Sequence, residues 1–328
     1  MKKILLILGF ILVGANAEAR VTILACEPEW AGVAKQIVKT KADIITATNS
    51  SQNPRNLIVK TPLVSIARGA DMMFCSGNDL ESKWINYLIN SSANFKFLPG
   101  EITMLYASEY VGKKQIPQGM IVDRPNQLGY LWKGERVHLN PHYIAKIAAE
   151  FTRRIKIIDP LNSIAYQANY DSFITKWNKA ILRWELKAEP LKGLKFIAND
   201  NSWSTLAEWL GLQIITLRDP TTGAKADQVM LNQVIQNLRT NPVEAIIFGG
   251  YEDKKTLLWM RDKTKIRVVW LPFTIGAGAN SQDVFQLFET TVNALLTDCS
   301  KRYCTTLAKP KEVIERKLNL IESTPNSN

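Results

Sequence analysis

The chain has 328 residues, a formal net charge of +11, four cysteines and only two histidines. That length admits two domains with proper cores. The basic residues are scattered and nowhere interleaved with aromatics, which speaks against nucleic acid as a partner, and no Ser/His/Asp or Cys/His arrangement supports an enzyme.

Residues 1–17 read as a targeting segment. Lys2 and Lys3 form a charged start, Ile4 to Val13 a short apolar run, and Ala15-Asn16-Ala17 an A-x-A cleavage site. The run is too short to cross a bilayer, and no later stretch reaches the roughly twenty apolar residues required. No cysteine follows the cleavage site to carry a lipid. These features predict a soluble periplasmic protein.

Residues 18–158 alternate strands and helices. Strand Val21–Ala25 leads to a helix from about Glu29, with Trp30, Val33, Ala34 and Ile37 on one face. Strand Asp43–Ala47, a polar loop from Thr48 to Arg55 and a helix near Pro62–Arg68 follow. Strand Asp71–Cys75 then precedes a helix over Leu80–Ile89, and Phe95–Leu98 reads as the last strand of this half. After a long loop from Gly112 to Arg136, Asn140-Pro141 opens a helix with Ile144, Ile147, Ala148, Phe151, Ile155 and Ile158 on its apolar face.

Asp159-Pro160, an N-cap residue with proline at the first helical position, opens a helix over 159–189. Ile164, Ala165, Ala168, Phe173, Ile174, Trp177, Ile181 and Trp184 recur along one face, and Pro190 and Gly193 end it. Trp177 and Trp184 read as core. Such a helix is a rod about 40 Å long. Residues 190–308 repeat the first plan, with strands near Leu194–Ala198, Gln213–Leu217, Glu244–Phe248 and Arg267–Leu271. Helices near Trp203–Leu210, Asp227–Arg239, Asp253–Lys263 and Ser281–Leu296 alternate with them. The tail, 309–328, holds at most one amphipathic helix and ends polar.

The pattern predicts an α/β protein of two lobes. Each lobe is a parallel four-stranded sheet flanked by helices, and one long backbone helix joins them. Ligands of such sheets bind beyond the carboxyl ends of the strands. That places function in the loops at Glu27, Asn53–Arg55, Ser76–Asp79, Asn199–Ser202, Gly249–Glu252 and Phe273–Gly278. Glu27-Pro28-Glu29 also sits where a helix dipole favours acids. Thr274-Ile275-Gly276-Ala277-Gly278 lacks a P-loop lysine and reads as a cleft-edge loop. Cys26 and Cys75 end two strands and lie side by side if those strands are neighbours; Cys299 and Cys304 are close in sequence. The favoured pairings are 26–75 and 299–304, among the three connectivities four cysteines allow, with metal ligation by Cys26 and Cys75 as the alternative.

Several segments resemble the zinc- and manganese-type solute receptors of ABC importers. They are Ala70-Asp71…Ser76-Gly77-Asn78-Asp79-Leu80-Glu81, the pair Asp159-Pro160, Ala207-Glu208-Trp209-Leu210-Gly211-Leu212, and Val268-Val269-Trp270-Leu271-Pro272. The resemblance covers essentially the whole chain after the leader. It implies two α/β lobes on a rigid helix, a divalent metal in the interlobe cleft, and a membrane permease and ATPase as partners.

The ligand positions that the resemblance implies are mostly altered. Asn53-Pro54-Arg55 puts arginine at the first, histidine, position. For the second, two registers fit. Asn140-Pro141-His142 matches the ligand motif locally, whereas aligning Asn140-Pro141 with the helix-opening pair puts Arg136 there. Asn199 and Asp200 stand at the third position, and Leu271 before Pro272 at the acidic fourth. Guanidinium has no free lone pair and stays charged, so these positions do not build the tetrahedral nitrogen, sulfur and oxygen set that zinc prefers.

Arg55 and Arg136 are suited instead to clamping a carboxylate or phosphate, with Asp200 as counter-charge. Equally, they form internal ion pairs with Asp200 or Glu27. Asp200, Glu27 and His142 are the fallback metal ligands. The sequence thus supports two functions. One is a monomeric periplasmic receptor delivering a metal, a metal chelate or a small anion to an ABC importer. The other is a structural or interaction protein on the same fold with a salt-bridged, metal-free cleft.

Overall fold

The computed structural model describes residues 20–77, 80–98, 100–111, 136–217, 227–252 and 254–297. The expectations for the leader, for most of the Gly112–Arg136 loop, for Asp79, for Cys299 and Cys304 and for the tail fall outside the described residues.

Two sheets organise the chain. Strands β1 (Val21–Ala25), β2 (Ala42–Thr46), β3 (Met72–Cys75) and β4 (Met104–Tyr106) form the first, all parallel, in the order β2-β1-β3-β4. Strands β5 (Lys195–Ala198), β6 (Gln213–Thr216), β7 (Ala245–Phe248) and β8 (Val268–Trp270) form the second, in the equivalent order β6-β5-β7-β8. All four residues of β3 are buried, as befits a central parallel strand covered on both faces. The covering helices are α1 (Pro28–Val38), α2 (Thr61–Gly69), α3 (Ile85–Ser92) and α4 (Pro141–Ile158) in the first half. After the linking helix α5 (Ser163–Ala188) come α6 (Ser204–Leu210), α7 (Gln228–Asn237), α8 (Lys254–Thr264) and α9 (Val284–Leu296).

Three local expectations need correction. Phe95–Leu98 is not a strand: the Asn94 side chain accepts from the Lys96 amide and folds Phe95–Phe97 into a 3₁₀ turn. Only Phe97 enters the core, Phe95 and Leu98 stay exposed, and Met104–Tyr106 takes the edge beside β3. Helix α3 starts at Ile85 rather than Leu80, because the Glu81 carboxylate turns back to the Ser76 and Gly77 amides.

The long helix also begins later than its sequence signal. Asp159 Oδ2 accepts from Tyr166 Oη at 2.5 Å and Asn162 Nδ2 at 2.9 Å, not from a backbone amide. Pro160–Asn162 is therefore a 3₁₀ turn, and α5 runs for 26 residues, about 39 Å. Ile164 and Ala168 face solvent; the buried stripe is Tyr166, Phe173, Trp177, Ala180, Ile181, Trp184 and Ala188.

Trp177 and Trp184 anchor this helix. Trp177 Nε1 donates to the Pro141 carbonyl at 2.9 Å, tying α5 to the start of α4. Trp184 stacks on Phe288 of α9 with ring centroids 5.2 Å apart, and its Nε1 donates to Glu289. The main hydrophobic cluster runs without a break from Ile23 and Trp30 through this stripe to Phe196 and Phe288. The rod is thus the spine of one core that both lobes share.

Candidate functional site

Each sheet has its switch point between its two central strands, β1 and β3 in one lobe and β5 and β7 in the other. The carboxyl ends there carry the functional side chains. Cys26 and Cys75 follow directly on β1 and end β3, with Cα atoms 4.8 Å apart, and form a disulfide. The pairing 26–75 is therefore present.

Glu27 follows Cys26 and is buried. Its Oε2 accepts from Ser76 Oγ at 3.0 Å, and Ser76 Oγ in turn accepts from Trp30 Nε1 at 2.9 Å. Glu81 is buried beside it, held by the Ser76 amide at 2.6 Å and the Gly77 amide at 3.3 Å. Burial, reinforced by the charges of Glu81 and Glu29, pushes the Glu27 carboxyl well above its usual range. Burial also raises Glu81, to about 7, although the hydrogen bonds it accepts oppose the rise. Two carboxyls this close in dry protein hold a proton between them.

Glu29, in the first turn of α1, links the lobes. Its carboxylate pairs with His138 Nδ1 at 3.0 Å and accepts from Thr274 Oγ1. Burial tends to raise its pKa, but the His138 charge and the hydrogen bonds from His138 and Thr274 outweigh this and lower it. His138 Nε2 lies 2.7 Å from the Phe273 carbonyl, so both ring nitrogens face acceptors. Ser50 Oγ donates to the Gly276 carbonyl at 2.9 Å, a second link. At Gly32 the lobes come close: a Cβ there would sit 2.2 Å from Ile275 Cδ1.

Arg136 sits between the lobes, 2 % exposed. Its guanidinium lies 5.0 Å from the centre of the Phe273 ring and 5.4 Å from that of Tyr251. Phe273 stacks on Trp203 at 4.3 Å and on Tyr251 at 5.2 Å. The Arg136 carbonyl accepts from Thr205 Oγ1, fixing the backbone against α6. Nε and Nη2 of Arg136 have no hydrogen-bond partner, nor do Glu252 Oε1 and Trp203 Nε1. Burial, with the charge of Asp200 adding and that of Arg136 opposing, lifts Glu252 to about 7. Burial likewise pushes the Tyr251 hydroxyl up to about 12, against the pull of Arg136.

A tight crevice opens here, lined among others by Glu27, Glu29, Asn49, Arg136, Tyr251 and Phe273. The structure thus brings Glu27 and Arg136 to one cavity. Asn199, Asp200 and Arg55 do not line it. The Asp200 carboxylate accepts from the Ser202 amide at 2.9 Å, and Arg55 is near enough to act electrostatically on Tyr251. His142 lies at the start of α4, exposed, with Nε2 2.7 Å from Glu185 of α5, and does not line the cleft. Leu271 is buried, and Phe273, two residues on, reaches the cavity. Glu81, His138 and Trp203 were not singled out from sequence as site residues, whereas Tyr251, Glu252 and Phe273 fall in the loops Gly249–Glu252 and Phe273–Gly278 where function was expected. The signal for these three was position, in loops that follow β7 and β8.

A family model described as zinc-uptake complex component A, periplasmic (ZnuA), matches residues 23–297. No curated protein matches the sequence significantly. Among solved structures, a crystal structure of ZnuA superposes with TM-score 0.66 at 16% identity, covering 84% of this chain and all of that one. A manganese-bound mutant of a periplasmic metal-binding protein from Candidatus Liberibacter asiaticus gives 0.67 at 13% identity over 86% of this chain and all of its own. A zinc-bound ZnuA deletion mutant gives 0.67 at 17% identity over 84% of this chain and 98% of its own. At such identities the superpositions speak to fold alone, while the family model spans most of the sequence: the chain belongs to the ZnuA family.

Proposed function

We propose that the protein is a periplasmic receptor of an ABC importer whose cleft holds a small anion, or an anionic metal chelate, in place of a bare zinc or manganese ion. The observation that carries this reading is Arg136, buried to 2 % exposure with Nε and Nη2 unpartnered. A buried guanidinium left without acceptors costs several kcal/mol on the order of a broken ion pair. A carboxylate or phosphate accepting from Nε and Nη2 together removes that cost, in the side-on geometry for which arginine is suited. The rings of Phe273 and Tyr251 hold the group in place, and Arg55 adds positive potential at the rim.

The same charge disfavours a free divalent cation. Among the described residues, the one group of metal-competent side chains within ligand distance is Cys26, Cys75 and Glu81, and its two sulfurs are joined to each other. The family's role in zinc uptake supports a permease and ATPase as partners. Titration calorimetry on disulfide-intact protein tests the reading. Citrate or its zinc complex is expected to bind and Arg136→Gln to abolish binding, while tight binding of free zinc alone would refute it.

One observation favours a second reading, a structural or interaction protein. Glu29, His138, Thr274, Phe273, Ser50 and Gly276 bond the lobes directly across the cleft. If that is the role, no small molecule raises the melting temperature, and neither a permease nor an ATPase co-purifies.

A further inference from the structure

The disulfide sits in chemical surroundings that a purely structural crosslink does not need. Its two sulfurs and the Glu81 carboxylate lie within 4.8 Å of one another, all buried. Glu81 is pre-oriented by the Ser76 and Gly77 amides at 2.6 and 3.3 Å. Glu27 adjoins it at Ser76, whose Oγ donates to Glu27 Oε2 while its amide donates to Glu81, and Glu27 Oε1 is buried without a hydrogen-bond partner. Two facing carboxyls in dry protein call for a proton or a cation between them.

We propose that reduction of the Cys26–Cys75 disulfide opens a buried thiolate–carboxylate site for a borderline-soft divalent cation, with Cys26, Cys75 and Glu81 as ligands and Glu27 as the fourth donor. This mix of sulfur and oxygen donors suits zinc. It meets the Arg136 cleft at Glu27, which lines that cleft, whereas Cys26, Cys75 and Glu81 do not.

The chemistry needs a dithiol reductant. One of its thiolates attacks a cysteine sulfur, breaking the disulfide, forming a mixed disulfide and expelling the other sulfur as thiolate. The second thiol resolves that intermediate and leaves the reductant as its own disulfide. Two electrons have then passed to the protein, and both cysteines are free. Zinc binding displaces the remaining thiol protons, which go to solvent. Oxidation reverses the sequence and expels the metal, so the same two sulfurs serve as crosslink or as ligands, never both. Glu27 lines the interlobe cleft and provides the side from which reductant and ion approach.

The test uses the full chain, reduced with excess dithiol, desalted without oxygen and titrated with zinc, with bound metal read by elemental mass spectrometry. Cobalt reports the ligands through thiolate-to-metal charge-transfer absorption. One equivalent of zinc in the reduced protein, none in the oxidised protein, and a cobalt spectrum with thiolate bands are expected. Glu81→Gln keeps both thiols and is expected to weaken zinc at least tenfold, with circular dichroism confirming that it is folded. A disulfide that resists excess dithiol in the folded protein, reduced protein that takes up no zinc, or uptake without thiolate bands would each overturn the proposal.

Discussion

Arg136 stands where a positive charge is hardest to sustain alone, buried against the rings of Phe273 and Tyr251 and with two of its nitrogens unpartnered. Truncating one partner of a buried charge-assisted contact costs about 2–5 kcal/mol. Arg136→Gln is therefore expected to weaken an anionic ligand at least about thirtyfold, and calorimetry checks it. Replacing Arg55 and Arg136 together by histidine removes like charge and adds two nitrogen donors near Asp200 and Glu252. Zinc affinity is expected to rise about tenfold or more, and unchanged affinity would show that these positions do not border a common site. The buried acids set a pH dependence. Glu81 and Glu252 hold their protons to about 7 in the fold, whereas an unfolded chain releases them near its ordinary value of 4.5. Stability from these groups is full below the unfolded value and is lost as pH rises through about 7, each shift being worth on the order of 3 kcal/mol. Glu29, lowered in the fold, acts oppositely and loses its contribution as pH falls. The melting temperature is thus expected to drop between pH 5 and pH 8, and Glu81→Gln to flatten that drop. A rise over this interval would contradict the buried-acid cluster.

Among the elements, helix α5 joins the two lobes through one hydrophobic cluster. Trp177 is fully buried, bonds to Pro141 and packs edge-on against Phe285 and Phe288 with centroids 4.9 and 5.3 Å apart. Trp177→Ala is expected to cost about 3–5 kcal/mol, measured by urea denaturation, because it leaves a cavity at the junction of α4, α5 and α9. Most of the elements were legible in the sequence, since hydrophobic periodicity and the Asn140-Pro141 start follow from local physics. Errors arose where a side chain out-competed the pattern. Asp159 spent its carboxylate on Tyr166 rather than on a cap, Asn94 curled an apolar tetrapeptide into a turn, and Glu81 delayed α3. Each is a polar contact whose partner cannot be seen from spacing alone.

At the scale of the whole molecule, two equivalent sheets share one core along α5, and their switch points meet at the cleft. The two parallel four-stranded sheets follow from strand–helix alternation and were readable in advance, as was the Cys26–Cys75 bridge once β1 and β3 are neighbours; the strand order was not. The cleft was not, except as a set of loops. Glu29 and His138 are 109 positions apart within the first lobe, and Arg136 and Phe273 are 137 apart and come from different lobes, so only the folded arrangement brings each pair together. The central claim is that this cleft carries an anionic ligand on Arg136. Native and elemental mass spectrometry of disulfide-intact protein, isolated from periplasm without chelators or an affinity tag, tests it most directly. The account expects a defined extra mass of an anion or chelate that Arg136→Gln loses. Near-stoichiometric bare zinc or manganese, with no other added mass, would contradict it.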